Sequence, residues 1–199
     1  MAGHEAEELT PTPKTAETEA GQHLPGSPSL KERAAAMVRV DQAGEYGAAR
    51  IYAGQMAVMG SRHSYAGEIR RMAEQERQHL DRFNQLMVER RVRPTALQPL
   101  WNVAGFALGA ATALMGPRAA MAATAAIEDV IEKHYARQLE ELGDKDPELS
   151  AVVKQFRDEE LEHHDSAIAH GAEETPGYAL LSAAIKTGCR IAIRVAEKI

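Results

Sequence analysis

Two segments of the sequence carry the same pair of potential metal ligands. Glu76-Arg77-Gln78-His79 and Glu160-Leu161-Glu162-His163 are both Glu-x-x-His motifs. On a helix, the i, i+3 spacing places the two side chains of each pair on one face. Carboxylate and imidazole groups bind divalent metals, but both residue types are also common on solvated helical faces. One such motif is therefore weak evidence for a metal site.

A glutamate precedes each motif at nearly the same distance. Glu45 lies in a stretch of small residues 31 residues before Glu76, and Glu128 follows an apolar run and lies 32 residues before Glu160. The chain thus repeats one unit, a helix with a glutamate followed by a helix with Glu-x-x-His. Carboxylates buried without a cation would repel one another and lose their hydration, so a purely structural role for Glu45 and Glu128 is costly.

Two such units packed together would bring four carboxylates and two imidazoles to one place. This ligand set is found in the two-metal centres of ferritin-like four-helix bundles. Without thiolates it suits iron or manganese, and four carboxylates neutralise two divalent ions. We therefore predict metal ligands at Glu45, Glu76, His79, Glu128, Glu160 and His163. Flanking residues are assigned to solvent or to contacts behind the ligands: Glu132, Glu159, Glu162 and His164.

Two further side chains follow Glu128 on the same predicted helix. Tyr135 lies two turns beyond Glu128, and His134 is next to it. The ordinary interpretation is a packed tyrosine and a surface histidine. The alternative is that either one orients a substrate or relays a proton, so we include Tyr135 with the six ligands as a candidate residue of the catalytic site.

Composition favours helices. Of 199 residues, 44% are hydrophobic and only 5% aromatic, with abundant alanine, leucine, methionine and glutamate. We predict an all-α fold, namely a ferritin-like four-helix bundle with additional helical segments that interact with a membrane. The net charge of −6 predicts no nucleic-acid partner. The single cysteine, Cys189, excludes an intrachain disulfide and cysteine-based zinc or iron–sulfur motifs.

The N-terminal segment differs from the rest. Residues 1–29 contain four prolines, five glutamates and one lysine, which predicts a disordered acidic tail ahead of a folded domain at residues 30–199. The segment resembles neither a secretory signal nor a mitochondrial presequence. We therefore expect a cytoplasmic, bacterial protein.

Capping and turn residues divide the domain into helices. The first helix is predicted at about 30–59, after a capping box formed by Ser29 and Glu32, and the second at about 65–91. A long helical pattern then ends at Leu142, where Gly143 is the predicted left-handed cap. A further helix is predicted at 147–170 after Asp146, and a last one begins near Pro176. Gly116-Pro117 offers a point at which the long helix can break.

An uncharged segment runs from Pro94 to Pro117. Its apolar core, residues 100–116, is seventeen residues long, at the lower limit for crossing a bilayer. We favour a helix that lies on or dips into one leaflet over one that spans it. Gly105 and Gly109 predict a close helix contact. The basic amphipathic C-terminal helix suits a membrane surface or, alternatively, packing on the bundle or on a second copy.

Longer blocks around these motifs closely resemble the demethoxyubiquinone hydroxylase family. The blocks are Val40–Ala48, Asn84–Val88, Arg91–Thr95, Pro99–Phe106 and Phe156–Asp165, and the likeness covers about Arg33 to the C-terminus. The resemblance implies a di-iron monooxygenase of ubiquinone biosynthesis that hydroxylates the ring of a polyprenyl 3-methyl-6-methoxy-1,4-benzoquinol. It implies the same six ligands, and iron. Many members have histidine where this chain has Gln42, which affects only contacts behind the ligands.

The resemblance also implies cofactors and partners. These are two iron ions, dioxygen as co-substrate, and electrons from NADH or from the quinol itself. The expected partners are the polyprenyl benzoquinol, a membrane surface, and either a lipid-presenting protein or a second copy of the chain. The expected location is peripheral, at the cytoplasmic face of the bacterial inner membrane.

Two other functions remain open on the sequence. One is a ferritin-like protein that stores iron or removes peroxide with the same metal cage, although such a protein has little need of the uncharged segment. The other is a metal-free helical module at a membrane surface, which predicts that the purified protein binds no metal.

Overall fold

The computed structural model describes residues 27–61 and 63–198, and its regular secondary structure is helical throughout those ranges. The helices are α1 (Leu30–Met59), α2 (Ala66–Arg90), α3 (Gln98–Leu114), α4 (Pro117–Leu142), α5 (Pro147–Ala169) and α6 (Tyr178–Ala196), with a short 3₁₀ turn at Ala172–Glu174. The predicted all-α fold is confirmed. Residues 1–26 lie outside the described ranges, so the disordered tail and the domain boundary stay predictions.

The starts of α1 and α5 follow from their capping residues. The Ser29 hydroxyl accepts the Glu32 N–H, and the Glu32 carboxylate accepts the Ser29 N–H at 2.7 Å, which is the predicted capping box. At α5, Asp146 accepts the Leu149 N–H at 3.2 Å ahead of Pro147. Both predicted helix starts are confirmed.

The predicted break between α3 and α4 is confirmed at Gly116. Its φ of 120° and ψ of 165° are accessible chiefly to glycine, and Pro117 then begins α4. The end of α4 differs in detail from the prediction. Gly143 has a positive φ of 48°, but its ψ of −132° lies outside the left-handed helical region, so the predicted left-handed cap is wrong.

Helices α1, α2, α4 and α5 form the bundle, while α3 packs along α1 and α6 packs against α4. The α1–α3 contact brings the two backbones together at glycines. A Cβ atom added at Gly109 would lie 1.9 Å from the Ile51 carbonyl oxygen, and one at Gly105 would lie 2.8 Å from the Gly47 carbonyl oxygen. The close helix contact predicted for Gly105 and Gly109 is confirmed.

None of the helices within residues 27–61 and 63–198 combines the length and the apolar character that crossing a membrane requires.

Candidate metal centre

The six predicted ligands lie together in the interior of the bundle. Helix α1 provides Glu45, α2 provides Glu76 and His79, α4 provides Glu128, and α5 provides Glu160 and His163. Each is at most 3% exposed. The sequence repeat therefore corresponds to two helix pairs, α1–α2 and α4–α5, whose polar side chains meet at the centre of the bundle.

Their potential ligand atoms form two overlapping groups. One group is Glu45, Glu76, His79 and Glu160, and the other is Glu76, Glu128, Glu160 and His163; within each group the atoms lie within 4.8 Å of one another. Glu76 and Glu160 belong to both. Two shared carboxylates, with one further carboxylate and one imidazole on each side, are what two neighbouring divalent ions require.

Both imidazoles turn Nδ1 towards the carboxylates. His79 Nδ1 lies 3.3 Å from Glu160 Oε1, and His163 Nδ1 lies 3.1 Å from Glu76 Oε1. Both Nδ1 atoms are nevertheless buried without a hydrogen-bond partner, as are Glu76 Oε1 and Glu160 Oε2. Buried polar atoms are normally paired. Unpaired atoms directed at a common point fit a site that is completed by cations.

The Nε2 atom of each ring contacts a residue of the partner helix, α5 for His79 and α2 for His163. His79 Nε2 lies 2.5 Å from Glu159 Oε2, and His163 Nε2 lies 3.1 Å from Gln75 Oε1. Glu159 and Gln75 each stand one residue before the shared glutamate of their own helix. The sequence analysis assigned Glu159 to solvent or to a contact behind the ligands, and the structure places it behind His79. It missed Gln75, which the same repeat position would have revealed.

Two tyrosines extend the repeat further. The Tyr135 hydroxyl donates a hydrogen bond to Glu45, and the Tyr52 hydroxyl donates one to Glu128 at 3.3 Å. Each tyrosine lies seven residues after the glutamate of its own helix. Burial, followed by the nearby carboxylates, raises the pKa of both phenols well above the ordinary value, so both remain proton donors. Only Tyr135 was predicted, although the seven-residue spacing also marks Tyr52.

The prediction of a surface position for His134 is wrong. Its side chain is buried, and its Nε2 lies 3.2 Å from Asp41 Oδ1, which also accepts a hydrogen bond from Gln138 at 2.8 Å. Asp41 is one turn before Glu45 on α1, and burial raises its pKa. His134 and Tyr135 therefore contact neighbouring carboxylates of the same helix, and this tertiary contact explains the burial of His134.

The cluster is electrostatically unbalanced without cations. Burial and repulsion by Glu160 raise the pKa values of Glu76 and Glu128 well above the ordinary range. Burial alone would raise the pKa of Glu160 and lower that of His79. Contacts with His163 and His79 outweigh burial at Glu160, and contacts with Glu160 and Glu45 outweigh it at His79. The pKa of Glu160 falls to about 2 and that of His79 rises to about 11. The site therefore holds protons that bound cations would displace.

The remaining flanking residues contact other groups. Glu132 pairs with Arg157 at 2.6 Å, Glu162 is exposed, and His164 contacts Asp165. Gln42, on α1, donates a hydrogen bond to Asn84 on α2 at 3.1 Å.

An apolar cavity of about 510 Å³ lies between α1, α3, α4 and α6. Its lining includes Val40, Gly44, Gly47, Trp101, Leu108, Ile127, Leu181 and Gly188. A much smaller space beside Glu45, Glu128 and Tyr135 shares Val40, Gly44, Ala48, Ile127, Ile131 and Ile193 with it. The cavity is of the size that small-molecule sites have, and its inner wall is also a wall of the carboxylate cluster.

The helices that cover this cavity expose large apolar side chains. On α3 these include Leu100, Val103, Phe106 and Leu114, and on α6 they include Leu180 and Ile191. The exposed basic residues are Arg190 and Arg194 on α6 and Lys198 just after it, whereas Lys186 pairs with Asp129 at 3.0 Å. The basic pattern predicted from the sequence is thus present as three exposed cations at the C-terminal end of α6 and just beyond it.

Comparison with known proteins places these features in a family. The family described as "Ubiquinone biosynthesis protein COQ7" matches residues 32–196. The chain is 57% identical over 166 residues to the mouse "NADPH-dependent 3-demethoxyubiquinone 3-hydroxylase, mitochondrial", covering 81% of this chain and 76% of the mouse protein. It is 52% identical over 186 residues to the "3-demethoxyubiquinol 3-hydroxylase" of Rhodospirillum rubrum, covering 94% and 86%.

A more distant relative also matches most of the chain. The "5-demethoxyubiquinone hydroxylase, mitochondrial" of Saccharomyces cerevisiae is 43% identical over 202 residues, covering 92% of this chain and 87% of the yeast protein. Residues 32–196, which the family matches, include all six residues of the cluster, both tyrosines and nearly all of the helices around the cavity. The chain belongs to the COQ7 family of ubiquinone biosynthesis proteins.

Proposed function

We propose that this protein is a di-iron monooxygenase that hydroxylates the ring of a polyprenyl demethoxyubiquinol. One atom of dioxygen replaces a ring hydrogen as a hydroxyl group. The other leaves as water after taking up two electrons and two protons from outside the reacting pair. The observation that carries the proposal is the buried carboxylate–imidazole cluster with unpaired Nδ1 atoms, which shares a wall with an apolar cavity.

The proposed ligands of the two iron ions are Glu45, Glu76, His79, Glu128, Glu160 and His163. Glu76 and Glu160 would contact both ions, because their oxygen atoms belong to both groups. When bound, the iron pair supplies the activation of dioxygen that no protein side chain provides. Iron is preferred over manganese on the strength of the family, since the ligand set accepts both.

The apolar cavity is the proposed binding site of the quinol and its polyprenyl tail. Gly44, Gly47 and Gly188 line it, and a Cβ atom added at any of them would meet nothing within 4 Å. These glycines therefore leave room for a ligand. Almost all of the lining is apolar, which suits a prenyl chain. A quinol ring at the wall shared with the cluster would lie next to Glu45 and Glu128.

The side chains of α1 and α4 control protons at this wall. The Tyr135 hydroxyl donates a hydrogen bond to Glu45, and the Tyr52 hydroxyl donates one to Glu128. The two carboxylates that belong to only one group each are therefore held in fixed orientations. His134, held by Asp41, stands beside Tyr135 and lines the same small space. We propose that Tyr135 positions Glu45 and that His134 exchanges a proton with the quinol hydroxyl.

The reductant and the location are also part of the proposal. The names of the mouse and human relatives specify NADPH, which favours a reduced nicotinamide over the quinol as electron source. The exposed apolar side chains of α3 and α6, with Arg190, Arg194 and Lys198 beside them, suit peripheral binding to an anionic leaflet at the cytoplasmic face. A lipid-presenting protein or a second copy would cover the same apolar side chains.

The test is hydroxylation by the iron-loaded protein with isotopically labelled dioxygen. Protein loaded with Fe²⁺ is mixed with a demethoxyubiquinol and reductant under ¹⁸O₂, and the product is analysed by mass spectrometry. We expect one labelled oxygen in the ring and none with Glu160→Ala. Oxygen consumption without ring hydroxylation would favour the storage or peroxide-removing alternative, and protein that binds no iron would favour the metal-free module.

A further inference from the structure

The two histidines of the cluster have unequal partners behind them. His79 Nε2 faces a carboxylate, that of Glu159, at 2.5 Å, whereas His163 Nε2 faces an amide oxygen, that of Gln75, at 3.1 Å. Towards the cluster the two rings are alike. Both turn an unpaired Nδ1 inward, and both are at most 1% exposed. The His79 ring also stacks on Phe156, with 4.0 Å between the ring centroids. The asymmetry in hydrogen bonding lies in the residues behind the rings.

The environments of the two acceptors enlarge this difference. With Nδ1 free to accept a metal, Nε2 carries the ring proton and donates it outward. One oxygen of the Glu159 carboxylate accepts a hydrogen bond from Gln155 at 2.9 Å, and its other oxygen faces the ring. The oxygen of Gln75 is instead shared with the guanidinium of Arg71, which donates to it at 2.5 Å and withdraws electron density.

A carboxylate acceptor behind a histidine increases the electron density on its metal-binding nitrogen more than an amide does. The ligand charges do not offset this effect, since each group contains three carboxylates and one imidazole. We infer that the two metal positions are unequal, and that the position with His79 binds its ion more tightly than the position with His163. Glu159 is the positioning residue responsible. The inference rests on the metal centre of the proposed function.

Titration of the metal-free protein with Co²⁺ tests the inference without enzymatic activity. Cobalt absorption in the visible range, followed against added metal, is expected to show two separate binding steps. Glu159→Gln keeps a hydrogen-bond acceptor but removes its charge, so the first step should weaken by about ten- to a hundredfold and merge with the second. Gln75→Glu should strengthen the second step by a similar factor.

The matched control is Glu162→Gln, which removes the same charge from an exposed position of α5. It should leave both steps unchanged. His79→Ala and His163→Ala assign the steps, because the first should abolish the tight step and the second the weak one. Circular dichroism checks that each variant is folded.

Two outcomes would overturn the inference alone, namely two equal steps in the unaltered protein or identical titrations for Glu159→Gln and Glu162→Gln. Failure of the unaltered protein to bind any cobalt would instead overturn the metal centre itself. The two failures are therefore distinguishable.

Discussion

The two faces of the carboxylate cluster differ in what surrounds them. Helices α2 and α5, here the ligand face, provide the two shared carboxylates, both histidines and the polar side chains behind them. Helices α1 and α4, here the cavity face, provide one unshared carboxylate each, the two tyrosines and part of the wall of the apolar cavity. The internal repeat thus places like residues on the same face, with the histidines on the ligand face and the apolar cavity on the other.

This arrangement explains how one buried site can meet two opposed requirements. Metal ions need many charged ligands and fixed partners behind them, whereas a prenyl quinol needs an apolar space. Glu-x-x-His concentrates ligands on the ligand face. The single glutamates of α1 and α4 leave the rest of the cavity face free for glycine and aliphatic residues, such as Gly44, Gly47 and Ile127.

The largest expected difference between the faces is in metal content. Glu160→Ala, on the ligand face, removes oxygen atoms that belong to both groups, so it should lose both ions. Glu45→Ala, on the cavity face, removes a ligand of one group only and should retain one ion. Metal analysis of each variant after loading and gel filtration measures the difference.

Glu162→Ala provides the control for removal of a charge from α5, because its side chain is exposed. Two ions retained by Glu160→Ala would contradict the assignment of shared ligands. Equal losses in Glu160→Ala and Glu45→Ala would erase the proposed difference between the faces.

Filling the cavity should affect substrate binding and leave the metals in place. Gly47→Leu projects a side chain into open cavity space, so KM for a long-tailed quinol should rise about tenfold or more, since misfit of even one methylene costs 1–3 kcal/mol. A short-tailed quinol should be affected less. Steady-state kinetics with both substrates, together with iron analysis, measures the effect.

Gly67→Leu is the matched control, because Gly67 is an exposed helical glycine on α2 with nothing within 4 Å of its added Cβ. Both changes replace glycine by a better helix former, so neither should destabilise its helix. Equal KM values for Gly47→Leu and Gly67→Leu would contradict the proposal that the prenyl tail binds in this cavity.

In the metal-free protein, carboxylates on both faces hold protons, and this makes the stability of the fold depend on pH. The pKa values of Glu76 and Glu128 are raised from 4.5, so the folded state keeps protons that the unfolded chain has lost at neutral pH. Their contribution to stability is present below pH 4.5 and is lost as pH rises. The raised pKa of His79 acts in the same direction above the ordinary histidine value of 6.5, while the lowered pKa of Glu160 acts only below 4.5.

The melting temperature of the metal-free protein should therefore fall as pH rises from about 5 to 9, and added Fe²⁺ or Co²⁺ should abolish the fall. Glu128→Gln removes one titrating carboxyl and should give a higher and flatter profile without metal. A melting temperature that rises over this range would contradict the raised pKa values.

The sequence predicted which carboxylates and imidazoles lie together in the cluster, but not the residues that surround them. The Glu and Glu-x-x-His repeat was visible because two glutamates and one histidine recur in each half at nearly the same spacing. Tyr52 and Gln75 obey the same repeat, which marks their positions, but tyrosine and glutamine are ordinary core and surface residues. Their roles follow from the contacts with Glu128 and His163.

The cavity and the burial of His134 depend on tertiary packing. Gly47 and Gly188 are far apart in the chain and face the same space only because α6 packs against α4. His134 is buried because Asp41 meets it across the α1–α4 interface. Helix bounds were predictable from local caps, such as Ser29 and Asp146, whereas the backbone of Gly143 was not, because its ψ depends on the following turn.

The smallest expected difference lies within the cavity face, between its two tyrosines. Tyr135→Phe leaves a buried oxygen of Glu45 without its donor, which should cost about 1–3 kcal/mol of unfolding free energy in the metal-free protein. Tyr52→Phe should cost less, because its hydrogen bond to Glu128 is long, at 3.3 Å. Urea unfolding measures both, with Tyr178→Phe, whose side chain is partly exposed, as the control. If Tyr52→Phe proved the more costly, the stronger hydrogen bond would be the one to Glu128, and the proposal that Tyr135 positions Glu45 would lose its support.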